Sequence, residues 1–511
     1  MKTVIAILFI ICTFGLSAQQ PGSLDINFNS SGYVTTHVKE NGASKAADLI
    51  VLSDNSVIMV GNTYITPQRY FSLVKYLDNG MPDNSFGENG IVLLDIGLGD
   101  DYATCISKDN DEKLVVAGYS FNGNYNDFSI ARLTSNGAID ETFCDSGMLV
   151  MPTGKSDSYI NDVKILADNS IIIAGKAFIT DNYDFTLYKL QPNGKPDSTF
   201  GVNGFVSFNF GSSYDEAIKV QLLENDKLLV GGTSFNGLTN DVTLARFTNT
   251  GTLDSTFNKV GFYSWDFEER TNTFSDMAVG SDGSIYVTGT TTIPGFYAAY
   301  ISKFSNDGVI DSTFASNGVL SYPIAEINTY GVSLYIDKSN DDVYTCGYSQ
   351  LWGQDIIVVK FNNFGYLDSN FGTEGIWSYN FGNDVTSKGC AVINLKSNGK
   401  IILGGAIDNN GNEFLLIQLN NKEKEINGLD ELASTNEFKI FPNPASEYIN
   451  IEMEDVKNIG YLEIFDINGK KVLQRIIRPN NQILLDELTM GTYFIRIIQG
   501  NDVNTQKLIV K

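Results

Sequence analysis

Histidine is almost absent from this sequence, and the other residues that build catalytic and metal sites are sparse. The 511 residues include one histidine, His37, and five cysteines, none of which form a Cys-x-x-Cys pair. The sequence therefore argues against a Ser-His-Asp triad, a His-rich metal centre and a zinc knuckle, since it has too few of the residues that form them. We interpret His37 as a strand residue without a special role, and the sequence predicts that the protein is not an enzyme.

Basic residues are also scarce, with 35 Lys and Arg against 60 Asp and Glu, which gives a net charge of −25. Residues 438–511 hold nine of each sign, so all of the excess acid lies upstream of them. A body this acidic repels phosphate backbones and anionic membrane surfaces, which excludes nucleic acid as a partner. Cations and basic or neutral partners remain open.

Long apolar runs are missing after the first 18 residues. Met1–Ala18 has a basic start at Lys2, an apolar stretch and small residues at its end. This pattern predicts a signal peptide over 1–18, and the sequence offers no transmembrane segment. Export permits disulfides, but the four cysteines beyond residue 18 lie far apart, and we expect them to be buried thiols in strands.

Glycine and aromatic residues, by contrast, are abundant, and a motif built from them repeats. The chain has 48 Gly, 25 Tyr and 32 Phe but 11 Pro, which is typical of short strands joined by tight turns. The motif Gly-x-x-Asp-x-x-Phe-x-x-x-Gly returns after 58 residues once and after 57 residues thereafter. Its aspartates are Asp25, Asp83, Asp140, Asp197, Asp254, Asp311 and Asp368, and its phenylalanines are Phe28, Phe86, Phe143, Phe200, Phe257, Phe314 and Phe371.

A second landmark keeps the same period. An apolar run ends in glycine at Gly61, Gly118, Gly175, Gly232, Gly289, Gly347 and Gly405. Each unit predicts four strands; those of the second unit are Gly90–Asp95, Ala103–Ser107, Lys113–Ala117 and Phe128–Leu133. The prediction is an all-β fold: a seven-bladed β-propeller of about 57-residue, four-stranded repeats.

An open solenoid is the alternative to a closed ring. It would need polar capping repeats at both ends, and the first and last units look much like the middle ones. Whether the first strand completes the last sheet is left open by the sequence.

Three sets of repeated side chains have predicted roles. We expect the motif aspartates to cap their own turns and the motif phenylalanines to wedge between blades, where each burial contributes about 1.5–3 kcal/mol. Asp127, Asp184 and Asp241 lie nine residues after the landmark glycine, in what the pattern predicts are the longest loops. They are candidate ligands for Ca²⁺ or sugar, with turn capping as the alternative, and no other cofactor is predicted.

The phrase Pro196–Gly204 (Pro-Asp-Ser-Thr-Phe-Gly-Val-Asn-Gly) resembles the delta-60 repeat, a bacterial repeat of just under sixty residues that is predicted to form propeller blades. We assign the propeller to residues 19–421, and the resemblance covers roughly 22–421 of them. It implies a propeller fold and export to the surface, but no established activity.

The 57-residue period stops after a charged linker at 422–437, and residues 438–511 have the strand pattern of a small β-sandwich. This ending resembles the type A sorting domain of the type IX secretion system of Gram-negative bacteria. The residues that carry the resemblance are Pro442, Asn443, Pro444, Gly469, Gly491, Tyr493, Lys507 and Lys511. It implies that the secretion machinery is a partner and that the chain passes through the periplasm and outer membrane to the cell surface or the medium.

These expectations describe a secreted or cell-surface repeat protein. The favoured role is recognition, adhesion or scaffolding without catalysis, and the sequence does not identify the extracellular glycan or protein ligand. A carbohydrate-active enzyme or a lectin that acts outside the cell is the alternative.

Overall fold

The computed structural model divides into two compact units, Met1–Lys424 and Glu425–Lys511. The predicted signal peptide, the predicted linker and Gly469 lie outside the residues that it describes, and no described helix is long and apolar enough to span a bilayer. The described residues are 20–152, 156–210, 214–267, 270–315, 317–322, 328–350, 355–381, 386–408, 412–421, 439–452, 460–466, 471–477, 482–485, 488–499 and 502–511.

Within its described residues, the first unit consists of four-stranded antiparallel sheets, here called blades, and one short 3₁₀ turn at Glu224–Asp226. Blade 1 contains β2 (Ala43–Val51), β3 (Val57–Ile65), β4 (Gln68–Tyr76) and β5 (Ile91–Leu94). Blade 2 contains β6 (Asp101–Lys108), β7 (Leu114–Phe121), β8 (Asn126–Leu133) and β9 (Met148–Met151). Blade 3 contains β10 (Ser158–Ile165), β11 (Ile171–Ile179), β12 (Asn182–Leu190) and β13 (Phe205–Phe208). Blade 4 contains β14 (Asp215–Leu222), β15 (Leu228–Phe235), β16 (Asn240–Phe247) and β17 (Phe262–Trp265).

The remaining blades follow the same plan, except that the last one takes a strand from the start of the chain. Blade 5 contains β18 (Asn272–Val279), β19 (Ile285–Ile293), β20 (Phe296–Phe304) and β21 (Val319–Tyr322). Blade 6 contains β22 (Thr329–Asp337), β23 (Asp342–Ser349), β24 (Asp355–Phe361) and β25 (Ile376–Tyr379). Blade 7 contains β26 (Thr386–Leu395), β27 (Ile401–Asp408), β28 (Asn412–Leu419) and β1 (Tyr33–Thr36).

The blades are offset from the sequence repeat by one strand. The pattern predicted Gly90–Asp95 as the first strand of the second unit, but β5 pairs with β4 and completes the sheet before it. The strand that starts the first unit, β1, pairs with β28 through Tyr33↔Ile417 and Thr36↔Phe414. The last blade therefore contains strands from both ends of the repeat region.

Equivalent backbone hydrogen bonds join each blade to the next around a ring. The residue after the motif phenylalanine donates its N–H to a carbonyl in the following blade, as Cys144 does to Asn193 at 3.1 Å. The last of these bonds runs from Gly372 in blade 6 to Pro21 in blade 7, at 3.0 Å. The others are Asn29 to Asn79, Gly87 to Asn136, Gly201 to Thr250, Asn258 to Asp307 and Ala315 to Phe364. The prediction of a seven-bladed propeller is confirmed, and the open solenoid does not fit this cyclic contact pattern.

The hydrophobic core lies between the blades. Ile171 and Ile173 of β11 pack into the cluster shared with blade 2, whereas Ile172 and Ala174 pack into the cluster shared with blade 4. Because successive side chains of a strand point to opposite faces, a middle strand that is buried on both sides must be apolar throughout. Each motif phenylalanine is at most 1% exposed and belongs to a different inter-blade cluster.

The innermost strands surround a central channel, and the landmark glycines are explained by a bulge in each of them. In blade 2 the pairing of β6 with β7 shifts register between Ala103 and Cys105. The bulge brings the carbonyl oxygen of Tyr102 to 1.9 Å from where a Cβ on Gly118 would lie. A side chain cannot be placed there, so glycine recurs at this position.

The free inner edges of these strands are covered by side chains from the preceding blade. Asp48 in blade 1 accepts the N–H of Ile106 in blade 2 at 3.1 Å. The same bond joins blade 3 to blade 4, where Asp162 accepts from Val220 at 2.9 Å, and blade 5 to blade 6, where Asp276 accepts from Leu334 at 3.0 Å. Burial lowers the pKa of Lys219, but the carboxylates of Asp276, Asp162 and Asp48 outweigh it and hold the pKa above its ordinary value. The channel wall is thus a structural element in which these carboxylates stabilise the charge of Lys219 and cover strand edges.

The second unit is a small β-sandwich. One sheet contains β29 (Lys439–Phe441), β30 (Tyr448–Glu452) and β33 (Gln482–Leu484). The other contains β32 (Lys471–Ile477), β31 (Gly460–Phe465), β34 (Gly491–Gln499) and β35 (Asp502–Val510), in that order across the sheet. A single apolar cluster that includes Ile449, Leu462, Ile495 and Leu508 fills the space between them.

The cysteines are not all thiols. Cys105 is a buried, free thiol in β6, as predicted. Cys144 is also free, but it is half-buried and lies in a turn, so the prediction of a buried strand thiol is wrong for it. Cys346 is disulfide-bonded, so the prediction of a thiol is wrong for this residue. The side chain of Cys390 lies outside the described ones. A disulfide is consistent with an exported chain, since oxidising compartments preserve such bonds.

Candidate functional site

The motif aspartates accept hydrogen bonds from their own turn and from a neighbouring strand. Asp140 Oδ1 accepts the N–H of Thr142 at 3.2 Å, and its Oδ2 accepts Nε of Arg132 at 2.7 Å. The turn bond, from the N–H two residues later, recurs at Asp25, Asp83, Asp197, Asp254, Asp311 and Asp368. A basic residue eight positions earlier pairs with the aspartate in six blades: Lys75, Arg132, Lys189, Arg246, Lys303 and Lys360. Asp25 instead accepts from Gln418 at 2.9 Å, across the closure of the ring.

Arg132 connects this turn to the blade interface. Its guanidinium carbon lies 4.9 Å from the ring centroid of Phe143, and the same group donates to the carbonyl of Pro192 in blade 3. Arg246 and Phe257 repeat the arrangement at 5.0 Å. These residues hold neighbouring blades together.

Replacing Arg132 by alanine should lower the free energy of unfolding by about 3 kcal/mol, because it leaves the buried Asp140 carboxylate with Lys113 as its remaining cation. Urea unfolding of the mature chain measures the loss. Lys108→Ala is the matched control: its pair with Glu112 is more exposed, so the loss should stay below about 1 kcal/mol. Equal losses in the two variants would contradict this role for Arg132.

The motif aspartates also predict sensitivity to acid. Hydrogen bonds from the Thr199 side chain and N–H, together with Lys189, hold the pKa of Asp197 at about 2 despite some burial. Because this lies below the unfolded value, the stabilisation is fully present above about pH 4 and is lost as the pH falls towards 2. We expect urea midpoints to drop over this interval, and to drop less steeply in Asp197→Asn. Identical slopes for the two proteins would rule out this contribution.

The candidate metal ligands Asp127, Asp184 and Asp241 lie within β8, β12 and β16, not in loops as predicted, because the strands extend further than the pattern suggested. All three are buried. An asparagine amide donates to each of them, from Asn122 at 2.6 Å, Asn209 at 3.0 Å and Asn236 at 2.9 Å respectively. Burial raises the pKa of Asp184 and of Asp241. The structure leaves them in separate blades, and the described residues contain no group of three His, Cys, Asp or Glu side chains that could hold a metal ion.

Side chains that are not the same in every blade line one end of the channel. Near the start of the innermost strands stand Lys45, Tyr102, Tyr159, Glu216, Thr273 and Tyr330. Each pairs with the residue after a landmark glycine: Asn62, Tyr119, Lys176, Thr233, Thr290 and Tyr348. We call these residues the channel mouth. Sequence reasoning missed them because it followed what repeats; the signal was the variable residue after each landmark glycine.

Tyrosine pairs give the channel mouth flat neutral surfaces. The rings of Tyr102 and Tyr119 stack at 4.8 Å between centroids, and those of Tyr330 and Tyr348 stack at 4.7 Å. Burial and the neighbouring phenols raise the pKa of Tyr119 to about 12, so its hydroxyl stays protonated at neutral pH. Half-buried aromatic rings with a polar edge are common in ligand sites.

Cations at this end of the channel differ in their pairing. Lys176 forms an ion pair with Glu216 at 3.1 Å. Neither Lys45 nor Arg69 forms an ion pair with any described residue. The guanidinium carbon of Arg69 lies 5.3 Å from the ring centroid of Tyr64 and 5.5 Å from that of Tyr102. An arginine held over two rings is positioned before any ligand arrives.

A cavity of about 650 Å³ opens at the channel mouth, within the range of small-molecule sites. Its polar and aromatic lining comes mainly from blades 1, 2 and 6: Lys45, Asn62, Arg69, Tyr102, Tyr119 and Tyr348. A second cavity, of about 800 Å³, lies towards the other end of the channel and is lined by residues that include Lys219, Glu224, Asp276 and Asp282. Asp276 is already engaged there by Ser333 at 2.6 Å and by two backbone N–H groups.

The residues expected to form the sorting signal fix the terminal strand of the sandwich. Asn443 Nδ2 donates to the carbonyl of Lys507 at 2.7 Å, and its Oδ1 accepts the N–H of Ile509 at 2.9 Å. The N–H of Lys511 donates to Ala445 at 2.8 Å. Gly491 begins β34, and Tyr493 is buried and donates to the carbonyl of Thr489 at 2.8 Å. Pro442 and Pro444 flank Asn443 in the segment that contacts β35.

Similarity to solved structures is weak in sequence. The chain aligns with a polysaccharide lyase, Uly1, at 11% identity and a TM-score of 0.47, covering 73% of this chain and 89% of that one. It aligns with a fungal alcohol oxidase of the AA5 family at 11% identity and 0.38, covering 92% and 100%. It aligns with Drosophila Semaphorin 1b at 9% identity and 0.41, covering 79% and 88%. All these TM-scores are below 0.5, so the fold rests on this chain's own strand pairing. No curated protein matches the chain in sequence.

Two family models match parts of the chain. The model described as a domain of unknown function (DUF5122) β-propeller matches residues 110–143, 166–200, 224–257 and 280–314. The model described as a secretion system C-terminal sorting domain matches residues 439–511 and indicates export to the cell surface or the extracellular space by the type IX secretion system. The chain therefore carries a DUF5122 β-propeller repeat region followed by a type IX C-terminal sorting domain.

Proposed function

We propose that this exported propeller is a recognition module that binds its ligand at the channel mouth and carries out no chemistry of its own. The observation that carries the proposal is the contrast between two sets of residues at repeated positions. The motif Asp and Phe residues are the same in every blade and hold the ring together, whereas the channel mouth residues vary among the blades. The first of the two channel mouth positions is Lys45, Glu216 or Thr273 in three blades and tyrosine in three others. A site shaped for one ligand has to break the symmetry of its scaffold, and the channel mouth does so around a cavity.

The absence of catalysis is supported by the chemistry of the cavity lining. Glycoside hydrolysis needs two carboxyl groups that face one bond. The described residues that line the channel mouth cavity include no Asp or Glu. Glu216, elsewhere on the channel mouth, accepts from the Tyr214 hydroxyl at 2.5 Å and pairs with Lys176.

The test is retention of the full mature chain on arrays of glycans and extracellular proteins. The double variant Tyr102→Ala, Tyr348→Ala removes one ring from each stacked pair and should weaken binding at least tenfold. Tyr366→Ala is the matched control, since its ring is 67% exposed and lies in a turn at the other end of the channel. Binding of the double variant at the control level would overturn the proposal.

A carbohydrate-active enzyme remains the second candidate, because the larger cavity contains acids. Glu224 and Asp282 line it together with Lys164, Lys219 and Lys338. The discriminating assay measures the release of reducing ends from a panel of polysaccharides. If the mature chain releases reducing ends and the Glu224→Gln variant does not, the protein is an enzyme and the proposal of recognition without catalysis is wrong.

A further inference from the structure

We propose that the ligand of the channel mouth is an anionic saccharide, whose carboxylate or sulfate group is held by Arg69 and Lys45. The inference rests on the proposed function and adds the chemical class of the ligand. It starts from two cations that form no ion pair with any described residue, in a protein whose net charge is −25.

Arg69 is half-buried, and Lys45 is exposed. Most other buried or half-buried Lys and Arg side chains in the described part of the propeller have a carboxylate partner. Arg132 pairs with Asp140 at 2.7 Å and Arg246 with Asp254 at 2.8 Å, and Lys360 lies 2.7 Å from Asp368. In contrast, neither Arg69 nor Lys45 forms an ion pair with any described residue. Acidic residues are in large excess in this chain, so an arginine that pairs with no described carboxylate is unusual. We infer that a negatively charged ligand pairs with it.

Asp100 contacts Arg69 through the main chain and not through an ion pair. Asp100 Oδ1 accepts the main-chain N–H of Arg69 at 2.8 Å, and its Oδ2 accepts the Tyr102 hydroxyl at 3.5 Å. The guanidinium donates to Asn62 Oδ1 at 3.3 Å and is otherwise held by the two tyrosine rings. Its remaining N–H groups are available for a bidentate contact with a carboxylate or a sulfate.

The form of the cavity favours a short saccharide. The stacked pair Tyr102–Tyr119 lies on one side of it, and Tyr348 on another. The apolar faces of sugar rings pack against aromatic rings, while the amide of Asn62 can bond a hydroxyl group. A volume of about 650 Å³ accommodates a small ligand or a chain end.

The overall negative charge does not prevent such binding. At physiological ionic strength, exposed charges are screened beyond about 8 Å, so distant acids act weakly on a ligand already in the cavity. A long polyanion would extend across the acidic surface and be repelled, which favours short segments or chain ends.

Titration calorimetry on the mature full-length chain tests the inference with three probes: trigalacturonate, a chondroitin sulfate disaccharide and the neutral cellotriose. We expect at least one acidic probe to bind, its affinity to fall with added salt, and cellotriose to bind at least tenfold more weakly. Arg69→Gln should weaken the acidic probe 10- to 100-fold, and Arg69→Lys should weaken it less. Lys195→Gln, which removes an exposed charge in a turn at the other end of the channel, should have no effect.

The outcomes separate this inference from the proposed function. One outcome is that cellotriose binds as tightly as the acidic probes, and that its binding is unaffected by Arg69→Gln but lost in the tyrosine double variant. This result overturns the anionic class of the ligand and still supports recognition at the channel mouth. Failure of both acidic probes also overturns the class, as does Arg69-dependent binding of an acidic peptide in their place. Saccharide binding that the tyrosine double variant leaves unchanged overturns the proposed function itself. Melting curves of each variant establish that a loss of binding is not a loss of fold.

Discussion

Removing residues 20–38 from the mature chain should abolish the cooperative unfolding of the propeller. The segment contains β1 and three buried apolar side chains, Phe28, Val34 and Val38, which are 1%, 8% and 4% exposed. Each burial contributes about 1.5–3 kcal/mol, so their combined loss is comparable with the whole stability of a typical domain, about 5–15 kcal/mol. Calorimetry of the purified variant should show a broad or absent transition, and the exposed blade faces should promote aggregation.

His37→Ala is the control for this deletion. His37 lies directly after β1 and not on the strand as predicted. Its side chain is 58% exposed and pairs with Glu413 at 3.0 Å, so its removal should cost less than about 1 kcal/mol. A deletion variant that melts at the temperature of the wild type would mean that β1 does not close the ring.

Deleting residues 439–511 should reduce the extracellular amount of the protein to background. The sorting domain is the part of the chain that indicates type IX export, so the propeller without it should stay in the cell. Immunoblots of medium, cell-surface and cell fractions with an antibody to the propeller measure the distribution. Undiminished export of the shortened chain would contradict the assignment.

A point variant within the sorting domain refines this result. Asn443→Ala removes both hydrogen bonds that its amide makes to the last strand, at Lys507 and Ile509, and should lower export several-fold. Met490→Ala changes a side chain that is 81% exposed and should be exported normally.

The sequence predicted the repeat architecture because each blade meets the same physical demand. A phenylalanine such as Phe143 must fill each inter-blade cluster, and an aspartate such as Asp140 must order the turn that presents it. Because every blade needs these two residues at the same place, the motif occurs once per blade. The number of motifs therefore predicted the number of blades. The pairing of β1 with β28 was not predictable, since it joins residues nearly four hundred positions apart and leaves no local pattern.

The binding site was harder to predict for the opposite reason. Lys45 and Tyr102 occupy equivalent positions but share no chemistry, so a search for regularity passes over them. The Asp127 set attracted attention because it does repeat, and the structure shows why that signal misled. Its buried carboxylates receive hydrogen bonds from asparagine amides, which is a recurring structural role.

An engineered crosslink tests the closed ring most directly. His37 follows β1, and its Nε2 lies 3.0 Å from Glu413 on β28, so cysteines at these two positions in a Cys144→Ser background should form a disulfide. The matched control pairs His37→Cys with Asp355→Cys, the corresponding acid of blade 6. Peptide mass spectrometry should find nearly complete crosslinking for the first pair and background for the second. Crosslinking no higher than the control would contradict the closed seven-bladed ring.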